Sequence, residues 1–201
     1  MKTLTKSLIA TALLTTGIAA QAEVSGGAAI ASSYLWRGFD LSAGSAAVSG
    51  SLDYSHESGL YAGIWGSSGD DTAGTEYDLY GGFGGEVGDI GYDIGYVSYK
   101  YPNSVTAEFE EIYVGLSYGD FGITVYDNDD ADYTYVALSA DLGDFNITYG
   151  DWSTDGSHID LTYGTGDLAF TLSQASGADY AGSYAEEETQ FVVSYSIPLD
   201  M

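Results

Sequence analysis

From residue 24 onward this chain alternates, with apolar residues and small or polar ones taking turns in short runs closed by turn residues. In residues 112–118, Ile112, Val114, Leu116 and Tyr118 share one face, and Tyr113, Gly115 and Ser117 the other. Phe121, Ile123 and Val125 oppose Gly122, Thr124 and Tyr126, and Ile159, Leu161 and Tyr163 oppose His158, Asp160 and Thr162. In residues 191–199, Phe191, Val193, Tyr195, Ile197 and Leu199 oppose Val192, Ser194, Ser196 and Pro198. A period of two belongs to strands and excludes amphipathic helix. No segment after residue 22 reaches the 18 consecutive apolar residues of a helical membrane span.

The punctuation is equally regular. Gly88-Asp89, Gly119-Asp120, Gly143-Asp144 and Gly166-Asp167 each precede a new apolar strand. The last three recur about every 24 residues, the length of two strands with their connections. Glycine tolerates the positive φ of a tight hairpin and aspartate favours turn geometry. Between these short turns lie longer polar connections at 37–45, 67–75, 101–108, 127–132, 153–157 and 174–188. Short and long connections thus alternate, as in an up-and-down transmembrane β-barrel with short periplasmic turns and longer outer loops.

We read an all-β, antiparallel barrel of about twelve strands: 24–36, 45–55, 59–66, 75–86, 89–101, 108–118, 120–127, 131–141, 144–152, 156–165, 167–174 and 186–199. An even number returns both ends to one side of the membrane. Ten strands follow instead if 45–55 and 59–66 are wrongly assigned. The face bearing Val48, Leu52, Leu79, Phe83, Tyr92, Ile94, Val136, Leu138, Ile147, Phe170, Leu172 and Val193 holds no charge, and the opposite face is small, polar or tyrosyl. A soluble sandwich or barrel would turn its apolar face inward and mixed charges outward, so this pattern points to lipid outside. Tyr54, Phe83, Tyr92, Tyr118, Phe121, Phe145 and Tyr163 gather beside the short turns, where an interfacial aromatic girdle belongs.

Residues 1–22 read as an export signal. Lys2 and Lys6 form a basic start, Ser7 to Ala19 an apolar stretch, and Ala20-Gln21-Ala22 a cleavage site, leaving 23–201 as the barrel. Localisation in a bacterial outer membrane is the expectation. The chain has no cysteine and therefore neither disulfides nor thiolate chemistry. It has 30 Asp+Glu against 4 Lys+Arg, two of the four lying in the leader. Such a surface repels phosphate backbones, which excludes nucleic acid, and attracts cations. Outer-membrane lipid, lipopolysaccharide and small solutes or cations are the expected partners, and no cofactor is expected.

The wording of the sequence adds to its pattern. Ser33-Tyr34-Leu35-Trp36-Arg37-Gly38 resembles the opening block DYVFRG of the TorF-like porins, a family of proteobacterial outer-membrane proteins. Residues 50–66, 77–86, 91–101 and 112–118 are similar to its later blocks, in matching order. The resemblance implies an outer-membrane barrel and a porin role, and it brings no catalytic residues. One departure is the ending Ile197-Pro198-Leu199-Asp200-Met201, where outer-membrane barrels usually finish on an aromatic residue.

Arg37 is the sharpest single residue. Parity places it on the inward face at the outer end of the first strand, facing inward carboxylates such as Asp53, Asp78, Asp93, Glu111 or Asp160. It either sets a transverse field across a pore or closes an ion pair that holds the first loop. Because these carboxylates outnumber the bases, a water-filled lumen would prefer cations. His158 stands two residues from Asp160 on one face, a pairing that can serve as a general base. With no nucleophile beside it, it reads as wall rather than catalyst, and no enzyme is expected. His56 falls in a turn on the periplasmic side.

The acidic runs Asp127-Asn128-Asp129-Asp130-Ala131-Asp132, Asp70-Asp71 and Glu186-Glu187-Glu188 offer hard oxygen ligands for weakly held divalent cations. They lack the glycine and terminal glutamate of an EF-hand and read better as solvated loops. Tyr80-Gly81-Gly82-Phe83-Gly84-Gly85 leads into no helix, so it is a strand with room for a bend or close packing, not a phosphate loop. Two functions follow as expectations: passive, cation-leaning passage of small solutes, or a non-conducting structural or adhesive barrel whose acidic loops meet ions or a surface partner.

Overall fold

The computed structural model describes residues 23–71, 73–104, 108–130, 132–177 and 189–199. Residues 1–22, read above as an export signal, Glu186–Glu188 and the last two residues lie outside them. Fourteen strands follow in order among the described residues: β1 (Glu23–Ala31), β2 (Leu35–Trp36), β3 (Phe39–Asp40), β4 (Ala47–Ser55), β5 (Leu60–Asp70), β6 (Gly74–Val87), β7 (Ile90–Lys100), β8 (Phe109–Tyr118), β9 (Phe121–Asn128), β10 (Tyr133–Leu142), β11 (Phe145–Trp152), β12 (Ser157–Thr165), β13 (Leu168–Ser176) and β14 (Gln190–Leu199). Twelve of them, β1 and β4 to β14, pair antiparallel with their neighbours, and β14 pairs back onto β1 to close a barrel. Closure leaves no sheet edge, so the strands satisfy their backbone groups chiefly on one another.

The four Gly-Asp pairs form two-residue hairpins. Val87 pairs with Ile90, Tyr118 with Phe121, Leu142 with Phe145 and Thr165 with Leu168 across them. Positive φ is confined to the glycine of each pair (65°, 58°, 72° and 61°), the backbone of a type II′ turn. With the turn at 56–59, these connections mark one end of the barrel, the periplasmic end in outer-membrane barrels.

The faces divide as the alternation requires. Val48, Leu52, Ile94, Ile112, Val114, Leu116, Leu161 and Leu172 point outward, each 40–61 % exposed. A continuous apolar belt of this kind has no place in water and is the lipid-facing surface of a membrane barrel. Tyr118 and Phe121 flank one turn, and Phe145 packs tilted against Tyr163, ring centroids 5.1 Å apart, beside the next, so the girdle lies at the turn end. The protein is an outer-membrane β-barrel.

Three expectations need correction. The first strand ends at Ala31, not 36, and residues 32–46 fold back as the small β2–β3 hairpin. Positive φ at Arg37 (47°), Gly38 (86°), Ala43 (49°) and Gly44 (74°) breaks the extended backbone that alternation alone would have continued. Parity therefore cannot place Arg37, which lies on this hairpin and not on a wall strand. The connection expected at 67–75 is mostly strand: β5 runs to Asp70 and β6 starts at Gly74, with a register shift between Ser67 and Asp70.

Candidate pore interior

The hairpin enters the loop-end half of the lumen. Trp36 pairs with Phe39, and Arg37 and Gly38 form its tip with positive φ at both positions, the backbone of a type I′ turn. Holding arginine there costs about 1–2 kcal/mol of backbone strain. Behind the tip, the Asp40 carboxylate gathers the returning chain. It accepts from Ser33 Oγ (2.6 Å), Ser42 N and Ser42 Oγ (both 2.9 Å), and Gly44 N (2.6 Å). Burial alone would raise its pKa, but these bonds to the ionised form outweigh burial and hold it below the usual carboxylate value.

At the tip, Arg37 donates from both Nη atoms to the two oxygens of Glu111 on β8, each at 2.7 Å. Glu111 also accepts from Tyr99 (2.9 Å) and Tyr133 (2.8 Å), so four donors satisfy a carboxylate with no exposed surface. The guanidinium lies 4.3–5.2 Å from the ring centroids of Trp36, Tyr126, Tyr135 and Trp152, an aromatic cage for a delocalised cation. Burial works against the Arg37 charge, but the Glu111 carboxylate outweighs it and lifts the pKa well above its ordinary value. Nearby, Tyr34 donates to Glu76 Oε2 (2.7 Å) and Tyr101 to Glu76 Oε1 (2.8 Å), a second anchor of the hairpin on β6.

Gly38 rests on β12. A β-carbon there would stand 2.5 Å from His158 Cβ, so only glycine brings the tip this close. His158 shares a hydrogen bond with the Tyr135 hydroxyl through Nε2 (2.7 Å), and its Nδ1 lies 3.2 Å from Asp160 Oδ1. The pair expected from spacing is thus a buried wall contact beneath the hairpin.

The turn-end half is organised differently. Asp53, Gly63 and Tyr80 are in register across β4, β5 and β6, and Tyr80 lies over Gly63 to donate to Asp53. Tyr61, Gly82, Gly95 and Tyr113 are in register across β5 to β8. The two tyrosines reach toward each other over the two glycines until their hydroxyls meet, and Tyr61 donates to Asp93 Oδ1 at 2.7 Å. The rings therefore run along the wall and not across the lumen.

All seven residues singled out in the sequence face inward. Arg37 meets Glu111; Asp53 and Asp93 accept from tyrosines in the turn-end half; Asp78 is buried on β6 two residues from Glu76; His158 and Asp160 stand together on β12. The sequence reading missed Glu76, Tyr99, Tyr133, Tyr135 and Trp152. Their inward parity was legible, but not that a hairpin would come to meet them. Among the described residues, no three His, Cys, Asp or Glu side chains are grouped to hold a metal ion. Asp127 accepts from Thr134 Oγ1 (3.0 Å), while Ala131 and Glu186–Glu188 lie outside the described residues.

Among solved structures, the KdgM porin matches with a TM-score of 0.53 at 7 % identity, over 89 % of this chain and 100 % of that one. At that identity the likeness shows the fold alone. The outer membrane phospholipase A of Escherichia coli matches with a TM-score of 0.44 at 14 % identity, over 88 % of this chain and 92 % of its own. A mutant porin of Rh. blastica matches at 0.41 and 14 %, over 75 % of this chain and 55 % of that one. No curated protein matches the chain. The sequence model of one family, described as bacterial proteins of unknown function, matches residues 15–148, more than half of the chain, which therefore belongs to that family, Gcw_chp.

Proposed function

We propose that the chain forms a narrow porin-like channel of the outer membrane, giving small solutes passive and cation-leaning passage. The observation that carries this reading is the lumen wall of the turn-end half. It is built from glycine, serine, threonine and tyrosines laid flat, with Asp53 and Asp93 facing inward and Asp160 above them beneath the hairpin. A barrel kept only as a scaffold gains nothing from an interior lined by carboxylates and hydroxyls, whereas a conduit requires one. Arg37 does not offset these acids, because Glu111 already neutralises it. The finer kinship with TorF-like porins belongs to the same proposal, since the Ser33–Gly38 block that carries the resemblance is the hairpin that narrows the lumen.

A planar-bilayer recording of the refolded chain in a potassium chloride gradient tests this reading. Discrete conductance steps are expected, with a reversal potential displaced toward that of potassium. Absence of steps at every salt concentration removes the channel. The close packing around Arg37 favours a second reading, a sealed structural barrel whose acidic loops meet divalent cations of the lipopolysaccharide layer or a surface partner. The same silence would support it. Neither reading calls on His158 and Asp160 for catalysis; His158 Nε2 is bonded to the Tyr135 hydroxyl and its Nδ1 faces Asp160.

A further inference from the structure

The carboxylates that anchor the hairpin lie on one side of the barrel. Its bonds to carboxylates of the wall reach β6 (Tyr34 to Glu76) and β8 (Arg37 to Glu111), and its rings and tip pack on β5, β7, β11, β12 and the loop end of β13 (Tyr34 on Trp65, Trp36 on Tyr99 and Trp152, Gly38 on His158 and Ala175). The wall opposite is chemically distinct. Level with the hairpin and just below it, inward positions of β13, β14, β1 and β4 run Ala169, Thr171, Ser173; Val192, Ser194, Ser196; Gly27, Ala29, Ala31; and Ala47, Ser49, Ser51, with Asp53 following only in the turn-end half. Apart from Val192 these twelve are small or hydroxylated, and none is charged. A cavity of about 40 Å³ separates this wall from the hairpin, with residues 33–35 on one side and Ser49, Ser67, Thr171 and Ser194 on the other. Two further hydroxyls of this wall, Ser51 Oγ and Ser173 Oγ, are buried without a hydrogen-bond partner among the described residues, Ser173 at 1 % exposure.

Resting on the channel reading above, we infer that the solute path past the hairpin runs along this hydroxyl-bearing wall, between residues 33–35 and strands β13, β14, β1, β4 and β5, and not through the Arg37–Glu111 side. On the anchored side, Glu111 is fully bonded by Arg37, Tyr99 and Tyr133 and aromatic rings pack around the pair, so a solute would have to break a buried ion pair. On the opposite side, a solute exchanges water for hydroxyls that donate and accept without fixing a charge, and no anchor is disturbed. The cavity has room for about one or two waters. The path therefore suits water, small hydroxylated solutes and monovalent cations, and it filters by size at the hairpin.

The absence of cysteine makes the test direct. Ser49→Cys and Ser194→Cys introduce a thiol on the inferred path at almost no change in volume, and Ala137→Cys places one in the aromatic cluster on the anchored side. Each variant, shown folded by heat-modifiable gel mobility, is recorded in a planar bilayer before and after a small cationic thiosulfonate reagent. Conductance is expected to fall about twofold or more on modification at Ser49 and Ser194, and to stay unchanged for Ala137→Cys. A conducting native barrel whose variants ignore the reagent at Ser49 and Ser194, or that is blocked at Ala137 instead, overturns the path while leaving the channel. A native barrel that never conducts overturns the channel reading itself, and the path with it.

Discussion

The guanidinium of Arg37 and the carboxylate of Glu111 meet in two parallel hydrogen bonds of 2.7 Å, 74 residues apart in sequence and both buried inside the barrel. Neither residue could stand there alone, since an unpaired buried charge is worth several kcal/mol against folding. The pair exists because β8 presents Glu111 to the lumen at the height where the β2–β3 hairpin turns. It converts a loop of the first connection into a fixed part of the interior.

Arg37→Ala should release the hairpin, because it strands Glu111 with only the Tyr99 and Tyr133 hydroxyls. Breaking one partner of a buried pair costs about 3–5 kcal/mol, here charged mainly to hairpin docking and not to the barrel. Limited proteolysis within residues 32–46 should become fast while heat-modifiable mobility persists. Replacing both partners, as Arg37→Met with Glu111→Leu, should recover much of the docking. Unchanged proteolysis in Arg37→Ala would show that the aromatic packing suffices without the ion pair.

Gly38 and Gly44 separate two costs that glycine conceals. Both have positive φ, 86° and 74°, but a β-carbon at Gly44 meets nothing within 4 Å, whereas at Gly38 it strikes His158 and Ala175. Gly44→Ala should lose about 1 kcal/mol of hairpin docking, the backbone component alone. Gly38→Ala should lose clearly more, because the tip must also withdraw from β12. Equal protease sensitivity in the two variants would mean that Gly38 does not seat against His158.

Strand number, turn positions and the inward or outward aim of each wall residue were readable from the sequence, because a period of two fixes the face once a strand is located. The hairpin was not. Carrying the period of two on to Trp36 passes over Ser32-Ser33 followed by Tyr34-Leu35-Trp36, which does not alternate and already departs from a wall strand. A second signal that could have shown it is the pairing of Arg37 with Gly38 and of Ala43 with Gly44, where left-handed backbone is required. The cross-strand tyrosine–glycine contacts were hidden for another reason: Tyr80 finds Gly63 only through the β5–β6 register, which a single strand does not contain.

Asp40 gives the hairpin a pH dependence whose sign is set by its hydrogen bonds. Its folded pKa is lowered, so its contribution is fully present above the unfolded aspartate value near 3.9 and is lost as pH falls through the folded value. Hairpin docking should therefore weaken below about pH 4, only modestly because Asp40 is partly open to solvent. The acid protease pepsin, active there, should cut residues 32–46 faster as pH drops. Asp40→Asn should flatten that profile; a variant with the native profile would assign the effect elsewhere.

The flat tyrosines of the turn-end half make the sharpest prediction about conduction. At Gly63 an added β-carbon would overlap the far end of the Tyr80 ring, and at Gly95 that of Tyr113, with no backbone among the nearest atoms in either case. A ring end is mobile, so each tyrosine can swing aside at little cost to the wall, and the direction left to it is into the lumen. Gly63→Ala and Gly95→Ala should therefore fold with near-native heat-modifiable mobility yet carry less current. Tyr80→Ala in the Gly63→Ala background should restore the current, because the obstruction is the ring itself. Reduced conductance that survives removal of Tyr80 would place the effect in the strand pairing and not in the lumen.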